Sequence, residues 1–469
     1  MNSFVLSVLS FFIVLIPLVI IHELGHFFAA KSVGVTVLEF GIGIPPRALI
    51  LFRRGDTIYT LNWIPLGGFV RPYGEDFVRP KSEEEMKEDR AEIEGRNIEN
   101  PKSVFEAGPW ERIWFLFAGP LANFIAALVL FIVIAGFFQP FEVGKITMIE
   151  ILPGSPAEAA GLQAGDEVTH VDGQKVERLE EFEDAVKDKD SIELTINRDG
   201  ETQTLTVTPV PFQVDDVKEK VQITNIEEDA PAYEADLKID DVVVAVDDNP
   251  VTDVDMLVDY TKSHEDIPVD FTIQRGDETL HVEVTPRVLD GEKDARIGIQ
   301  IAAAPLDETI GAITAKRDIH TEVRQAENVV AAFETGSGNF VRAIGVIFYA
   351  PVMLVRGEID ASQARPAGPV AISQMGGKFI KESQEEKTPY PILGFAAIIS
   401  IALAVTNLLP IPALDGGRIL FVVIELLRGK PISPEREGLV HMIGMFFLLS
   451  LMVVILFFDI VKPIDLSSF

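Results

Sequence analysis

Residues 20–27 read IIHELGHF, and this stretch decides how the whole chain is interpreted. It follows an apolar run, Met1 to Ile21, that carries no charge. On a helix, His22 and His26 project from the same face, so two imidazoles can share one metal ion with Glu23 alongside. Ionisable groups inside a membrane cost roughly 2.5 to 3.5 kcal/mol each, so three of them within five positions indicate a functional site. The alternative is an interfacial helix end, where the same side chains reach water.

Apolar and acidic residues are segregated along the 469-residue chain, which is 48% hydrophobic and yet has a formal charge of −32. Four uncharged runs cover residues 1–21, 113–139, 392–414 and 440–458. At about 1.5 Å per residue, each can cross a hydrocarbon core of about 30 Å. We therefore expect four helices in a lipid bilayer. The first run exceeds a usual signal-peptide core and lacks a cleavage site, so we expect it to be a resident helix.

The acidic residues lie mainly in one soluble stretch. Between Gln139 and Thr309 there are 42 acidic and 14 basic side chains, which account for −28 of the net charge. This charge argues for a well-solvated domain and against nucleic acid as a partner. The chain has no cysteine, so disulfides, thiolate metal ligands and a cysteine nucleophile are also excluded.

Basic residues predict the orientation of the helices. The segment between helices one and two has 11 Lys plus Arg, and the link between helices three and four has four more. Both segments belong on the cytoplasmic side by the positive-inside tendency. The acidic stretch and both termini then face outward, and HELGH lies near the cytoplasmic face.

The soluble stretch contains an internal repeat. ILPGSPAEAAGLQAGDEVTHVDGQKV, from Ile151, aligns without gaps with IEEDAPAYEADLKIDDVVVAVDDNPV, from Ile226. Alternating short strands with one helix predict a small α+β module in each copy. The string GSPAEAAGLQAGDEV resembles the PDZ signature, which implies tandem PDZ domains that bind extended peptides or C-terminal ligands. The second copy has Asp236 and Asp240 at positions where the first has turn glycines, so its groove could be altered or unused.

A third metal ligand is needed, because a catalytic zinc usually takes three protein ligands and keeps a fourth position for water. In NLLPIPALDGGRIL, from Asn407, the third apolar run breaks at two prolines and Asp415 follows on the predicted cytoplasmic side. Asp415 is therefore the candidate. Its alternative role is a helix N-cap for the segment that begins near Arg418.

HELGH in the first membrane helix, NLLPIPALDGG in the third and PDZ modules between them together resemble the site-2 protease family of intramembrane zinc metalloproteases, in particular the regulator-of-sigma-E type. The resemblance covers nearly the whole chain. It implies one Zn2+ per chain, with His22, His26 and Asp415 as ligands and Glu23 as the catalytic acid/base. It also implies that Asn407 holds the substrate backbone near the metal.

Two further motifs resemble elements of the same family. IPLGGFVRP, with Gly68, Phe69 and Val70, looks like its membrane-associated β-hairpin, which offers a strand edge to the substrate; the alternative is an amphipathic surface loop. AGPLAN resembles a Gly-x-x-x-Asn element, so Asn123 is a candidate substrate-binding residue; the alternative is close helix packing.

Other residues are assigned no chemistry. His441 begins the fourth apolar run and is expected to be interfacial. The histidines of the soluble stretch are expected to lie on the outer side, out of reach of the site. The run FVRAIGVIFYAPVMLV, interrupted by Arg342 and Pro351, is expected to be an amphipathic helix on the outer leaflet, too short to span.

The fold expected from these patterns is a polytopic α-helical membrane protein with four transmembrane helices, an inserted tandem pair of α+β PDZ domains and a small membrane-associated β-hairpin. The expected divisions are helix one at 1–30, the hairpin and a charged insertion at 31–109, helix two at 110–139, PDZ domains at 140–211 and 212–303, a surface helix and link at 304–391, helix three at 392–411, the LDG motif and cytoplasmic link at 412–439, helix four at 440–460, and a tail at 461–469.

The function expected is intramembrane hydrolysis of single-pass membrane proteins in a bacterial inner membrane, with PDZ domains that gate substrate access. The family's substrates are pre-trimmed anti-sigma factors and signal-peptide remnants, and no residue here chooses between them. A catalytically inactive PDZ receptor is one alternative, although all the ligand residues and Glu23 are retained. A metal transporter is another, but it would need ionisable residues along more helices.

Overall fold

The computed structural model describes residues 3–75, 86–187, 189–210, 220–227, 230–275, 278–289, 294–304, 306–356, 366–430 and 432–461. The α-helices in these ranges are α1 (Ser3–Ser10), α2 (Ile16–Ser32), α3 (Met86–Gly95), α4 (Pro109–Phe137), α5 (Pro156–Ala159), α6 (Leu179–Val186), α7 (Pro231–Glu234), α8 (Val254–Ser263), α9 (Val329–Arg356), α10 (Pro369–Glu385), α11 (Tyr390–Leu408), α12 (Asp415–Arg428) and α13 (Pro434–Val461). A π-helical turn, Phe11–Leu15, joins α1 to α2.

The strands are β1 (Val37–Arg54), β2 (Thr57–Pro72), β3 (Gln139–Ile151), β4 (Glu167–Val171), β5 (Gln174–Lys175), β6 (Ile192–Arg198), β7 (Glu201–Val207), β8 (Lys220–Ile226), β9 (Val242–Val246), β10 (Asn249–Pro250), β11 (Val269–Arg275), β12 (Glu278–Val284), β13 (Arg287–Val288), β14 (Ala295–Arg296), β15 (Ile299–Ala304), β16 (Leu306–Asp307) and β17 (Ala312–Arg324). The chain forms two compact units, one from residues 1–139 with 323–469 and one from residues 140–322.

Five helical segments of the described chain are long and apolar enough to cross a membrane. Four of them coincide with the predicted runs: Val5–Ser32, Pro109–Phe137, Tyr390–Leu408 and Arg436–Val461. The fifth, α9, has 28 residues, so the prediction that this run is too short to span was wrong about its length. The helix begins at Val329, upstream of the apolar run, and continues through Pro351. By length and composition alone, α9 is therefore a further candidate span.

In the helical unit, α4 contacts α2, α9 and α11. A side chain at Gly25 of α2 would lie 2.2 Å from the carbonyl oxygen of Ala118, so the two backbones are in direct contact there. On the opposite side, Ser400 of α11 donates its hydroxyl to the Asn123 carbonyl at 2.8 Å. Small residues at these crossings allow the close approach that polar contacts between membrane helices require.

The predicted hairpin is a small sheet built from β1 and β2. Both strands fold back on themselves, so residues 39–42 pair with 58–61 on one side and with 68–71 on the other, while residues 47–54 pair with 57–62. The segment 68–72 therefore lies along the margin of the sheet. Phe27 of α2 packs against Phe40 and Tyr59, which anchors the sheet to the helix that carries the HELGH motif.

The soluble unit consists of two copies of one module, each with a strand, a short helix, two strands, a longer helix and a hairpin in the same order. The repeat extends to ion pairs, since Arg198 contacts Asp166 in the first copy and Arg275 contacts Asp241 in the second. Asp236 and Asp240 have φ of +61° and +74°, close to the +84° and +91° of their glycine counterparts. The turns are therefore retained, because aspartate tolerates the left-handed region better than most residues.

The predicted boundary between the modules needs a correction. The sheet of the first module has the order β16-β17-β3-β4-β6-β7, so strands from residues 306–324 complete it. Ile310 and Ala312 lie in the core of this first module. The second module, β8 to β15, is thus inserted before the final strands of the first, and the stretch from 304 is not simply a link. Strand pairing between segments far apart in the chain leaves no local pattern to predict it.

Candidate metal centre

The two histidines of HELGH lie one turn apart on α2, and both are buried. Their Nε2 atoms are 3.1 Å apart, and their rings meet edge to face. This geometry follows from helical spacing, since residues i and i+4 lie on one face. The side chains converge on a point rather than pointing along the helix.

Asp415 is the first residue of α12, directly after the turn that ends α11. Its Oδ2 lies 3.2 Å from His22 Nε2 and 3.4 Å from His26 Nε2. The N-cap position of α12 is occupied by Leu414, so the structure does not place Asp415 in the alternative capping role.

The three side chains fit a tetrahedral metal. Asp415 Oδ2 is buried and has no hydrogen-bond partner among the described residues, and one ligand atom from each of the three residues lies within 4.8 Å of the others. Two tetrahedral ligands at about 2.0 to 2.1 Å from zinc are about 3.3 Å apart. The three observed separations, 3.1, 3.2 and 3.4 Å, match this value. Two nitrogens and one carboxylate oxygen are a donor set that zinc accepts.

Contacts behind the histidines fix the orientation of the rings. The Nδ1 atom of His26 lies 2.9 Å from the Phe115 carbonyl oxygen, so it carries the proton and leaves Nε2 as a lone-pair donor. Asn123 is fully buried, and its Nδ2 lies 3.5 Å from His22 Nδ1, while its Oδ1 has no hydrogen-bond partner in the part of the chain that the structure describes. A 180° rotation of the amide group would put Oδ1 at this position, where it would accept from His22 Nδ1–H. Asn123 therefore lies behind His22 rather than in the cavity.

Gly119 of α4 makes room for the two imidazoles. A Cβ at this position would lie 2.3 Å from His26 Nε2 and 2.9 Å from His22 Nε2. The AGPLAN motif thus combines close helix packing with room for the two imidazoles, as the packing alternative expects, while Asn123 does not line the cavity.

Glu23 lies next to the margin of the small sheet. The backbone of Val70 hydrogen-bonds its carboxylate, and a Cβ on Gly68 would lie 3.5 Å from Glu23 Cγ. These residues line a cavity of about 270 Å³ together with Phe69 and Asn407, so four of the five candidate substrate-binding residues are brought together there.

Several contributors to the site carry no sequence signal of their own. The Phe115 carbonyl is a backbone group, and Arg418, which lines the cavity, forms a buried ion pair with Glu75. Burial opposes the charge of Arg418, but Glu75 raises the pKa of the guanidinium. His441, expected at the interface, is fully buried and touches the loop before Asp415. A pairing signal from related sequences would be needed to find such contacts.

Comparison with known proteins identifies the family of the chain. The model of peptidase family M50 matches residues 10–451. The chain is 30% identical to the zinc metalloprotease RasP of Geobacillus kaustophilus, with 97% of this chain and 98% of that protein covered. It is 26% identical to the regulator of sigma-W protease RasP of Bacillus subtilis (97% and 99% covered) and 28% identical to the regulator of sigma-E protease RseP of Salmonella typhimurium (98% and 99% covered).

Among solved structures, the PDZ domain of the SdrC-like protein from Listeria monocytogenes matches 19% of this chain and 93% of its own, at 21% identity and a TM-score of 0.18. A TM-score this low does not identify a shared fold, and the tandem PDZ domains stay a prediction. The expected resemblance and the expected enzyme class, a zinc metalloprotease, are confirmed by the family match and the curated relatives. The chain belongs to the M50 peptidases, the site-2 protease family.

Proposed function

We propose that this chain hydrolyses peptide bonds within or near the transmembrane helix of single-pass membrane proteins, with one zinc ion held by His22, His26 and Asp415. The observation that carries the proposal is the convergence of three ligand atoms at tetrahedral separations, with Glu23 beside them in the same cavity. When bound, zinc would lower the pKa of a coordinated water and polarise the substrate carbonyl.

Glu23 is the proton carrier in this mechanism. Its carboxylate takes a proton from the attacking water as the new C–O bond forms, and the same carboxyl then passes that proton to the amide nitrogen as the C–N bond breaks. The Val70 backbone contact orients the carboxylate for both transfers. The products are a new carboxylate and a new amine, so no other reactant is required.

Substrate binding requires that a helical segment unwinds, because its amides are otherwise engaged in helical hydrogen bonds. Residues Gly68, Phe69 and Val70 pair with β1 on one side and line the cavity, so an extended substrate could add a strand beside them. Asn407 lines the same cavity from the last turn of α11 and would hold the substrate backbone. Asn123, by contrast, is proposed to orient His22 rather than to bind substrate.

The substrate class and the role of the soluble unit follow from the same assignment. The relatives named as regulators of sigma-W and sigma-E proteases support pre-trimmed anti-sigma factors as substrates, with signal-peptide remnants as a second class. The repeated modules are proposed to be PDZ domains that bind peptide termini and limit access of substrates with bulky ectodomains. We place the protein in a bacterial inner membrane with these modules outside and the metal centre near the cytoplasmic face.

The test compares the parent chain, Glu23→Gln and Glu88→Gln in detergent. Glu88 is an exposed residue of α3, so its variant controls for the loss of one negative charge. The substrate is a single-pass helix with a trimmed ectodomain, and products are identified by mass spectrometry. Cleavage within the helix should be lost in Glu23→Gln and after chelation, and retained in Glu88→Gln, with zinc content unchanged in both variants. Cleavage by Glu23→Gln at the parent rate would refute the assigned mechanism, and zinc binding without cleavage would favour the receptor alternative.

A further inference from the structure

His441 lies on α13, in a helix that otherwise exposes most of its apolar side chains. It is 0% exposed, and its Nδ1 accepts the backbone N–H of Ala413 at 2.8 Å. Because Nδ1 accepts, the ring proton is on Nε2, and a carboxylate oxygen of Glu437 lies 3.8 Å from that nitrogen. Glu437 is itself buried. A histidine in this position has a specific partner, which an interfacial residue would not need.

The partner of His441 is a residue with an unfavourable backbone. Ala413 has φ of +79°, in the left-handed region that alanine rarely adopts. Such a conformation persists only where the surrounding structure holds it. Ala413 lies two positions before Asp415 and lines the same cavity, so its backbone determines where Asp415 begins α12.

The same face of α13 packs tightly on this loop. A Cβ on Gly444, one turn after His441, would lie 2.5 Å from Pro412 Cβ and 2.6 Å from the Pro412 carbonyl oxygen. On the other side of the loop, Cβ atoms on Gly416 and Gly417 would lie 2.2 Å from the carbonyl oxygens of Leu408 and Ile411. The loop is thus confined by close packing, and His441 adds a hydrogen bond from α13 to it.

We propose that His441 is a positioning residue: by accepting the Ala413 N–H it holds the loop in the left-handed conformation that brings Asp415 against His22 and His26. The inference rests on the proposed function in one respect, namely that Asp415 is a zinc ligand. Residues that orient metal ligands typically change metal affinity by about 10- to 100-fold when they are removed.

The experiment uses the full chain in detergent and measures zinc affinity by competition with a chromophoric chelator, so proteolysis is not needed. In His441→Asn, the side-chain Oδ1 takes the position of the histidine Nδ1 and can still accept the Ala413 N–H. In His441→Leu, a side chain of nearly the same shape as asparagine offers no acceptor. We expect His441→Leu to bind zinc about 10- to 100-fold more weakly and His441→Asn to stay within about threefold of the parent. Thermal unfolding without metal is measured in parallel.

A double variant separates positioning from general damage. Glycine adopts positive φ without strain, so Ala413→Gly in the His441→Leu background should recover much of the lost affinity. Equal affinities for the Leu and Asn variants, or no recovery in the double variant, would overturn the inference. If the parent chain itself bound no zinc, the proposed function would fail as well, whereas parent affinity in His441→Leu would overturn this inference alone.

Discussion

Gly119→Ala should abolish the metal site while leaving the fold intact. The added methyl group would lie 2.3 Å from His26 Nε2, and ordinary van der Waals contact begins at 3.4 Å, so that nitrogen must move by about 1.1 Å. His22 Nε2, at 2.9 Å, must also move. Metal–ligand distances tolerate deviations of about 0.2 Å, so displacements of this size prevent both nitrogens from binding one ion.

The expected loss of zinc affinity follows from the displacement of the imidazole nitrogens. A misplacement of about 1 Å in a catalytic constellation can cost about 100-fold, so we expect zinc affinity and proteolysis to fall by at least that factor. The overlap is with the tips of two side chains rather than with backbone, so the helices need not separate. Alanine also favours a helix over glycine by about 1 kcal/mol, which supports α4.

The assay is zinc competition with a chelator, with thermal unfolding of the metal-free protein as the measure of folding. Gly136→Ala is the matched control, because it makes the same change in α4 and its Cβ would meet Ala332 Cβ at 3.5 Å, an ordinary contact. The control should bind zinc like the parent. Parent affinity in Gly119→Ala would refute the reasoning, as would a loss of zinc accompanied by unfolding.

Two further variants test other contacts. Asn123→Leu should weaken zinc binding about 10- to 100-fold, because His22 Nδ1 loses its hydrogen-bond partner. Asn123→Asp retains an acceptor and should bind zinc more tightly than the Leu variant. Chelator competition measures both affinities, and equal values would contradict the role assigned to Asn123. Arg198→Met leaves the buried Asp166 carboxylate without its cation, so we expect the first soluble module to lose about 3 to 5 kcal/mol of local stability, measured as lost hydrogen-exchange protection in residues 192–198. The control is Lys145→Met, which breaks exposed ion pairs and should cost no more than about 1 kcal/mol. Similar protection in the two variants would contradict the importance assigned to burial of the ion pair.

Local patterns in the sequence were sufficient for four of the five candidate spans and for the three side chains that converge in the structure. Uncharged runs longer than a bilayer is thick predicted four of the candidate spans, and the i,i+4 spacing of His22 and His26 predicted that they share a face. Asp415 could be predicted as the third candidate ligand, because the prolines before it end the third apolar run on the side of the membrane where the histidines were expected. Each of these inferences depends on periodicity, length or composition within one short segment.

The way in which segments distant in the chain meet could not be inferred from any of these local patterns. The final strand of the first soluble module, β17, is separated from its partner β3 by a complete second module. Gly119 and the Phe115 carbonyl lie against His26, and His441 contacts the loop before Asp415; these contacts, from helices other than α2, depend on distances of a few ångströms across helix crossings. Close packing of side chains fixes such distances, and it leaves no periodic trace in the sequence of any single element.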